Sequence, residues 1–376
     1  MRGRKGEIVN AGKKLFVVAI CTVGLGIGFS VFPRGNLLFG QVTATSEKFR
    51  VDPFWPQPLP VDWITGAVGG ECVDSNDHVF ITARTADPTN LTDHEKELMK
   101  PAPPVIEFDS EGKVVNSWGD PKVVPSGIHD CYVDREGNIW ISGNNDAIAQ
   151  KYTHDGKLLI QIGTKGRFDT SDGTIKGTAL NSSHTLLNRP ASFAVDPANG
   201  DVYIADGYGN RRIAVFDRSG NYICQFGRQA TKEESDQGVG GAFLQVVHSV
   251  VLSNDGLLYV EDREGHRIQV FDNMGNFKKN IFLKRRRPDL AGHGAPSSIV
   301  FSRDKAQKYL YVADALDEVI WTVDRESGET ITGFGRPGRM AGEFSLHNIA
   351  INSKGDLFIG EAGTGRRIQK FRAIGN

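Results

Sequence analysis

His129, His248 and His347 each lie eight positions ahead of the glycine of an Asx-type turn, at Gly137, Gly256 and Gly355 respectively. Neutral imidazole is the usual nitrogen ligand for zinc, and three such ligands with a fourth position open describe a catalytic site rather than a closed structural one. The chemistry this set offers is Lewis-acid activation of an oxygen. It requires three side chains far apart in sequence to converge.

The elements that carry them repeat. Aligned on its hairpin turns, the chain shows six units at a spacing of roughly 40 to 50 residues, in the range of propeller blades. They begin near Gly69 ("GGECVDSNDHVFITAR"), Gly127 ("GIHDCYVDREGNIWISG"), Arg189 ("RPASFAVDPANGDVYIADGYGNRRIAVFDRSGNYICQFG"), Val247, Ala295 and Leu346 ("LHNIAINSKGDLFIGEAGTGRRIQKF"). Each reads strand, Asx-Gly-like turn, strand, polar loop, strand, turn, strand. A sheet of four short strands has two apolar faces and buries both only by stacking on neighbours until a ring closes. The expected fold is all-β, a six-bladed β-propeller over residues 45–376. The last unit ends at Phe371 with little chain beyond, so its outermost strand is expected from "KFRVDPFWPQPLP", residues 48–60, which would latch the ring.

First strands of propeller blades line the central channel, and equivalent positions in alternate blades are related by about 120° around the axis. The histidines open the first strands of blades two, four and six, so they are expected to meet. The same register holds Gly69 in blade one, Ser192 in blade three, and Ser297 or Ser298 in blade five. The loop after each second strand returns to the histidine face. It carries Arg84 ("VFITARTA"), Tyr208 ("ADGYGNRRI") and Arg263 ("VEDREGHRI"). A tyrosine beside zinc can serve as a base, and arginine holds carboxylates by paired hydrogen bonds. The bland alternative for each of these loop residues is turn chemistry serving the fold alone.

Composition frames this reading. A hydrophobic content of 39% and a charged content of 24% are ordinary for a globular chain of 376 residues, while 44 Gly and 21 Phe suit many turns with aromatic strands between them. Arg2, Arg4, Lys5, Lys13 and Lys14 precede an apolar run from Leu15 to Phe32, the layout of a signal peptide or membrane anchor within residues 1–44. The propeller is thus expected outside the cytoplasm, periplasmic or extracellular. Without residues 1–44, which hold six Lys/Arg and one Glu, 38 basic and 44 acidic groups remain. That balance disfavours nucleic acid, and the basic run Lys284–Pro288 has no interleaved aromatics. With Cys21 in the apolar run, Cys72, Cys131 and Cys224 form an odd set from which no disulfide framework can be read.

The stretches "DGYGNRRIAVFDRSG" from Asp206 and "EDREGHRIQVFDNMG" from Glu261 resemble the signature of the NHL-repeat family, over roughly residues 65–376. Together, "HDCYVDREGNIWI", "DGYGNRRI", "VHSVVLS", "DREGHRI" and "LHNIAIN" resemble the peptidyl-hydroxyglycine amidating lyases, zinc propellers that cleave a carbinolamide to an amide and glyoxylate. The resemblance implies zinc on His129, His248 and His347, Tyr208 as base, and Arg84 and Arg263 on the substrate carboxylate. This chain also departs from that family. Asn348 replaces the aspartate that serves a structural calcium there, which puts calcium in doubt, and Gly209 replaces a family cysteine. The segment from Thr85 to Pro104 is expected to cap the channel mouth, and no hydroxylase domain is expected ahead of the propeller.

The expected function is a zinc-dependent lyase acting on a small-molecule or peptide substrate at the channel mouth. The expected protein is a monomer whose membrane contact runs only through the N-terminal segment. The alternative is a non-catalytic exported NHL module that binds a protein or glycan on its loop face. A calcium-type propeller lactonase would need carboxylates and asparagines around the axis, where this chain has histidines.

Overall fold

Short strands rich in Val, Ile and Phe, punctuated by Asx turns, pair antiparallel into six sheets of four strands. The computed structural model describes residues 49–85, 91–169 and 180–374. The expected signal or anchor segment, 1–44, lies outside the described residues, as do residues 86–90 of the expected cap. Blade one comprises Val68–Val73, Val79–Ala83, Val105–Phe108 and Val114–Trp118. In blade two the strands are Ile128–Val133, Ile139–Gly143, Ile148–Tyr152 and Leu158–Ile162. Blades three, four and five repeat the order, their first strands being Ser192–Val195, Val247–Leu252 and Pro296–Phe301.

Blade six is closed as the sequence predicts. Its strands Asn348–Ile351, Leu357–Gly360 and Ile368–Ala373 are completed by Phe49–Asp52, which pairs with the last of them from Phe49 opposite Ala373 to Asp52 opposite Lys370. First strands contact first strands all the way round, and blade six returns to blade one. The apolar residues gather in six clusters, each centred on one blade interface. Stacking of neighbouring sheets, not one central core, therefore holds the molecule together.

The Asx turns follow one pattern. In blade two, Asp134 Oδ1 accepts the backbone N–H groups of Glu136 at 3.0 Å and Asn138 at 2.9 Å. The side chain thereby mimics a backbone acceptor and sets the hairpin. The basic run at 284–288 is tied down, with Arg285 NH2 donating to Asp317 Oδ1 at 2.9 Å.

One covalent link was not legible in the sequence. Cys72 and Cys131, in the first strands of blades one and two, form a disulfide, which leaves Cys224 as an exposed free thiol. Setting Cys21 aside leaves three cysteines, a count that does not say which two stand on neighbouring first strands.

Candidate metal centre and active site

Two of the histidines are aimed by kinks in their strands. The pairing of first and second strands shifts register between Ile128 and Asp130 and between Val247 and Val250, so His129 and His248 sit in bulges. A bulge re-aims the side chain of the extra residue. His347 immediately precedes its strand, its N–H donating to Gly360 O at 3.0 Å. The ring centroids lie 4.5 Å apart for His129 and His347, 4.8 Å for His129 and His248, and 5.7 Å for His248 and His347. One nitrogen from each lies within 4.8 Å of the others.

Blades one, three and five orient the rings. His129 Nδ1 donates to Ala191 O at 3.1 Å, and His248 Nδ1 donates to Ser297 O at 2.6 Å, each on the next blade. For His347 the corresponding carbonyl is Gly69 O, which faces Nδ1 without hydrogen-bond alignment. A proton held on Nδ1 leaves a bare lone pair on Nε2, the form in which imidazole ligates. His129 Nε2 and His347 Nε2 face each other at 3.3 Å. Burial pushes the His129 and His347 imidazoles well below the usual histidine range. Burial, then the nearby Arg263 charge, pushes His248 down to about 3. All three favour the neutral form, and their ligating nitrogens stand close enough together for one cation to bridge them. The donor set fits zinc.

The three loop residues lie at the same place. Tyr208 Oη stands 3.0 Å from His129 Nε2, and Arg263 NH1 donates to Tyr208 Oη at 3.2 Å. The Arg263 guanidinium lies over the tyrosine ring at 5.5 Å. Arg84 Nε donates to Ile128 O at 2.7 Å, and its charge contributes to lowering all three histidines. Gly69 makes room for it, since a Cβ there would lie 2.1 Å from Ile128 O and 3.4 Å from Arg84 Nε.

The repeat motif divides between fold and site. In "DGYGNRRI", Asp206 and Arg212 are fully buried and bonded at 2.9 Å, and Asp206 Oδ1 accepts the Asn188 N–H. Asp262 and Arg267 repeat the pair in blade four at 3.0 Å. These pairs hold the loop ends while Tyr208 and Arg263 project to the histidines. Gly207 is required by backbone packing, because a Cβ there would meet Val247 O at 2.0 Å.

Calcium does not fit at Asn348. Its Nδ2 donates to Gly69 O at 3.1 Å and His129 O at 2.9 Å, so an amide N–H bridges two carbonyls that a cation would otherwise share. Part of the segment expected to cap the channel mouth is described. Its helix Asp93–Leu98 carries a Thr92 capping box, and Glu95 pairs with Arg366 of a blade-six loop at 3.3 Å. Three further carboxyls were not legible in the sequence: Glu71 and Glu261, which are buried, and Asp130, which is partly buried. Burial raises all three, Asp130 to about 7, and the Asp130 charge raises the other two further. Glu71 and Asp130 stand on first strands and Glu261 on the second strand of blade four, positions with no motif of their own.

Comparison with known proteins agrees with the repeat reading. The NHL repeat family matches residues 187–216 and 244–271. NHL repeat-containing protein 3 of Homo sapiens is 28% identical over 70% of this chain, and the match spans 66% of the relative's length. A probable peptidyl-alpha-hydroxyglycine alpha-amidating lyase of Caenorhabditis elegans is 25% identical over 79% of this chain and 80% of its own. The streptogramin B lyase structure superposes with a TM-score of 0.54 at 14% identity, covering 87% of this chain and 99% of that one. At that identity the likeness concerns the fold alone.

Proposed function

We propose that this chain, a six-bladed β-propeller of NHL repeats, is a zinc-dependent lyase that cleaves a carbinolamide, an α-hydroxyglycine amide, to an amide and glyoxylate. The observation that carries the reading is the meeting of three neutral imidazoles with Tyr208 and Arg263 at one point of the channel. His129, His248 and His347 would hold the ion. When bound, zinc supplies Lewis-acid polarisation of the substrate hydroxyl oxygen.

The chain's own residues then account for the proton and the charge. Tyr208 would enter the step as the phenolate: its Oη takes the hydroxyl proton, the C–O bond becomes C=O, and the C–N electron pair leaves with nitrogen. Returning the proton from Tyr208 to that nitrogen completes the primary amide, so atoms and charge balance. Arg263 places a fixed cation beside the phenolic oxygen, stabilising the negative charge it carries before it takes the proton and regains when it returns it. Arg84, braced on Ile128 O, and Arg263 would receive the substrate carboxylate.

The test is glyoxylate release from a short hydroxyglycine-terminated peptide, with and without chelator. Zinc-dependent glyoxylate is expected, and His129→Ala, His248→Ala and His347→Ala are each expected to lose one equivalent of zinc together with activity. Arg84→Ala or Arg263→Ala is expected to raise KM more than it lowers kcat. Wild-type protein that releases no glyoxylate above background rejects the activity.

A non-catalytic NHL binding module is the second reading, favoured by the likeness to NHL repeat-containing protein 3. It predicts loop-face binding that survives loss of the axial zinc. We further propose that the propeller is exported and monomeric and has no nucleic-acid partner. The Cys72–Cys131 disulfide supports an oxidising compartment. The N-terminal segment is expected to direct that export; a reporter fused after Ala44 that still leaves the cytoplasm without residues 1–32 overturns this.

A further inference from the structure

On the face opposite the axial histidines, where the Asx turns lie, a second group of ligating side chains spans the junction of blades one and two. Glu107, in the third strand of blade one, is nearly fully buried, its side chain 3% exposed. Only imidazoles form ion pairs with it among the described residues. His78 Nδ1 lies 2.7 Å from Oε1, and His154 Nε2, from the outer hairpin turn of blade two, lies 3.0 Å from Oε2. The second approach is out of line for a hydrogen bond, so the buried Oε2 has no aligned donor. A buried carboxylate in this condition costs free energy unless a cation joins it.

Asp74 completes the group. One ligating atom each from Asp74, His78 and Glu107 lies within 4.8 Å of the others. Asp74 Oδ1 accepts the His78 N–H at 2.8 Å, which fixes the turn that presents His78. With metal bonds of about 2.0–2.2 Å, donors around a tetrahedral ion stand roughly 3.3 Å apart. Asp74, His78 and Glu107 already stand near that spacing, while His154, which approaches Glu107 alone among them, would have to turn inward to supply the fourth donor. Two neutral imidazoles and two carboxylates balance a divalent charge. Their nitrogen and oxygen donors suit a zinc-type transition metal rather than calcium, which takes six to eight oxygens, or copper(I), which prefers sulfur.

We propose that Asp74, His78, Glu107 and His154 form a second divalent transition-metal site, which pins blade one to blade two on the turn face. The same two blades are joined nearer the channel by Cys72–Cys131, so ion and disulfide would clamp one interface at two levels. The site is independent of the axial histidines and of any activity there.

The experiment uses the full chain, stripped with chelator and titrated with Zn2+ while bound metal is counted by elemental analysis. His78→Gln/His154→Gln is expected to bind one equivalent less than wild type and to lose that equivalent's zinc-dependent rise in Tm. Failure of the axial reading would lower both counts equally and leave this difference intact. Equal stoichiometry and equal zinc-dependent Tm in the two proteins overturn the site. Should the double variant not fold, wild-type protein decides the matter. Zn2+ is expected to protect His78 and His154 from diethylpyrocarbonate at least tenfold by peptide mapping, and unchanged modification of both overturns the proposal.

Discussion

Tyr208 owes its position to neighbours more than to its own contacts. Its oxygen is bracketed by His129 Nε2 at 3.0 Å and Arg263 NH1 at 3.2 Å, so replacing only that oxygen removes the proposed proton carrier and little packing. Positioned proton transfer contributes 10²- to 10⁴-fold. Tyr208→Phe is therefore expected to lower kcat by that factor, about 3–5 kcal/mol of barrier, with axial zinc retained. Steady-state kinetics beside metal analysis reads both, and full activity in the phenylalanine variant removes Tyr208 from the chemistry. At this scale the sequence showed which residues meet, because a shared offset from the turn glycines survives folding as a shared place on the axis. It did not show what aims them. The acceptors for His129 and His248 are the backbone carbonyls of Ala191 and Ser297, and any residue type supplies a carbonyl. The cluster at His78, Glu107 and His154 escaped for a related reason, since it joins different strand positions of adjacent blades and has no common register.

At the level of the blade, the repeat motif is a buried ion pair that fastens the second strand to the third. Arg212 Nε bonds Asp206 at 2.9 Å while its NH1 and NH2 donate to Ser183 O and Leu186 O at 2.6 and 2.9 Å, all without solvent. Removing one partner of such a pair strands the other charge, at a cost of about 3–5 kcal/mol. Arg212→Met is expected to lower stability by that amount in urea unfolding. Arg212→Met with Asp206→Leu is expected to recover part of the loss, since one of the two buried carboxylates left by Arg212 is gone and only Asp169 remains. If the single change costs less than about 1 kcal/mol, the pair is not the fastener argued here. The disulfide acts between elements instead. It closes a sequence separation of 59 residues, for which chain entropy gives about 4 kcal/mol. Cys72→Ser is expected to lose stability of that order, and reductant is expected to bring wild type to the same midpoint while leaving the variant unchanged. The sequence displayed the repeat because each blade must solve the same stacking problem, whereas the disulfide occurs at one interface and repeats nowhere.

For the whole molecule, ring closure decides whether six marginal sheets become one cooperative structure. Each apolar cluster draws on two neighbouring blades, so a ring opened at one seam exposes both sheets beside it. The seam is held by Phe49–Asp52, which lends blade six its outer strand from the opposite end of the described chain. Phe49 is 5% exposed and packs its ring against Tyr311 at 5.2 Å and Phe334 at 5.1 Å, both in blade five, while Asp52 accepts from Arg372 Nε at 2.8 Å. Truncating a buried phenylalanine costs about 3–5 kcal/mol through lost transfer energy and the cavity left behind. Phe49→Ala is expected to destabilise by that amount. A chain beginning at Thr45 is expected to keep the wild-type Tm, and one beginning at Pro53 to melt well below it. Because the axial histidines come from blades two, four and six, opening the seam also withdraws His347 from the other two. The chain beginning at Pro53 is therefore expected to bind axial zinc at least tenfold more weakly even where it remains folded. Equal axial affinity in the two truncated chains would mean that blade six holds its place without the latch.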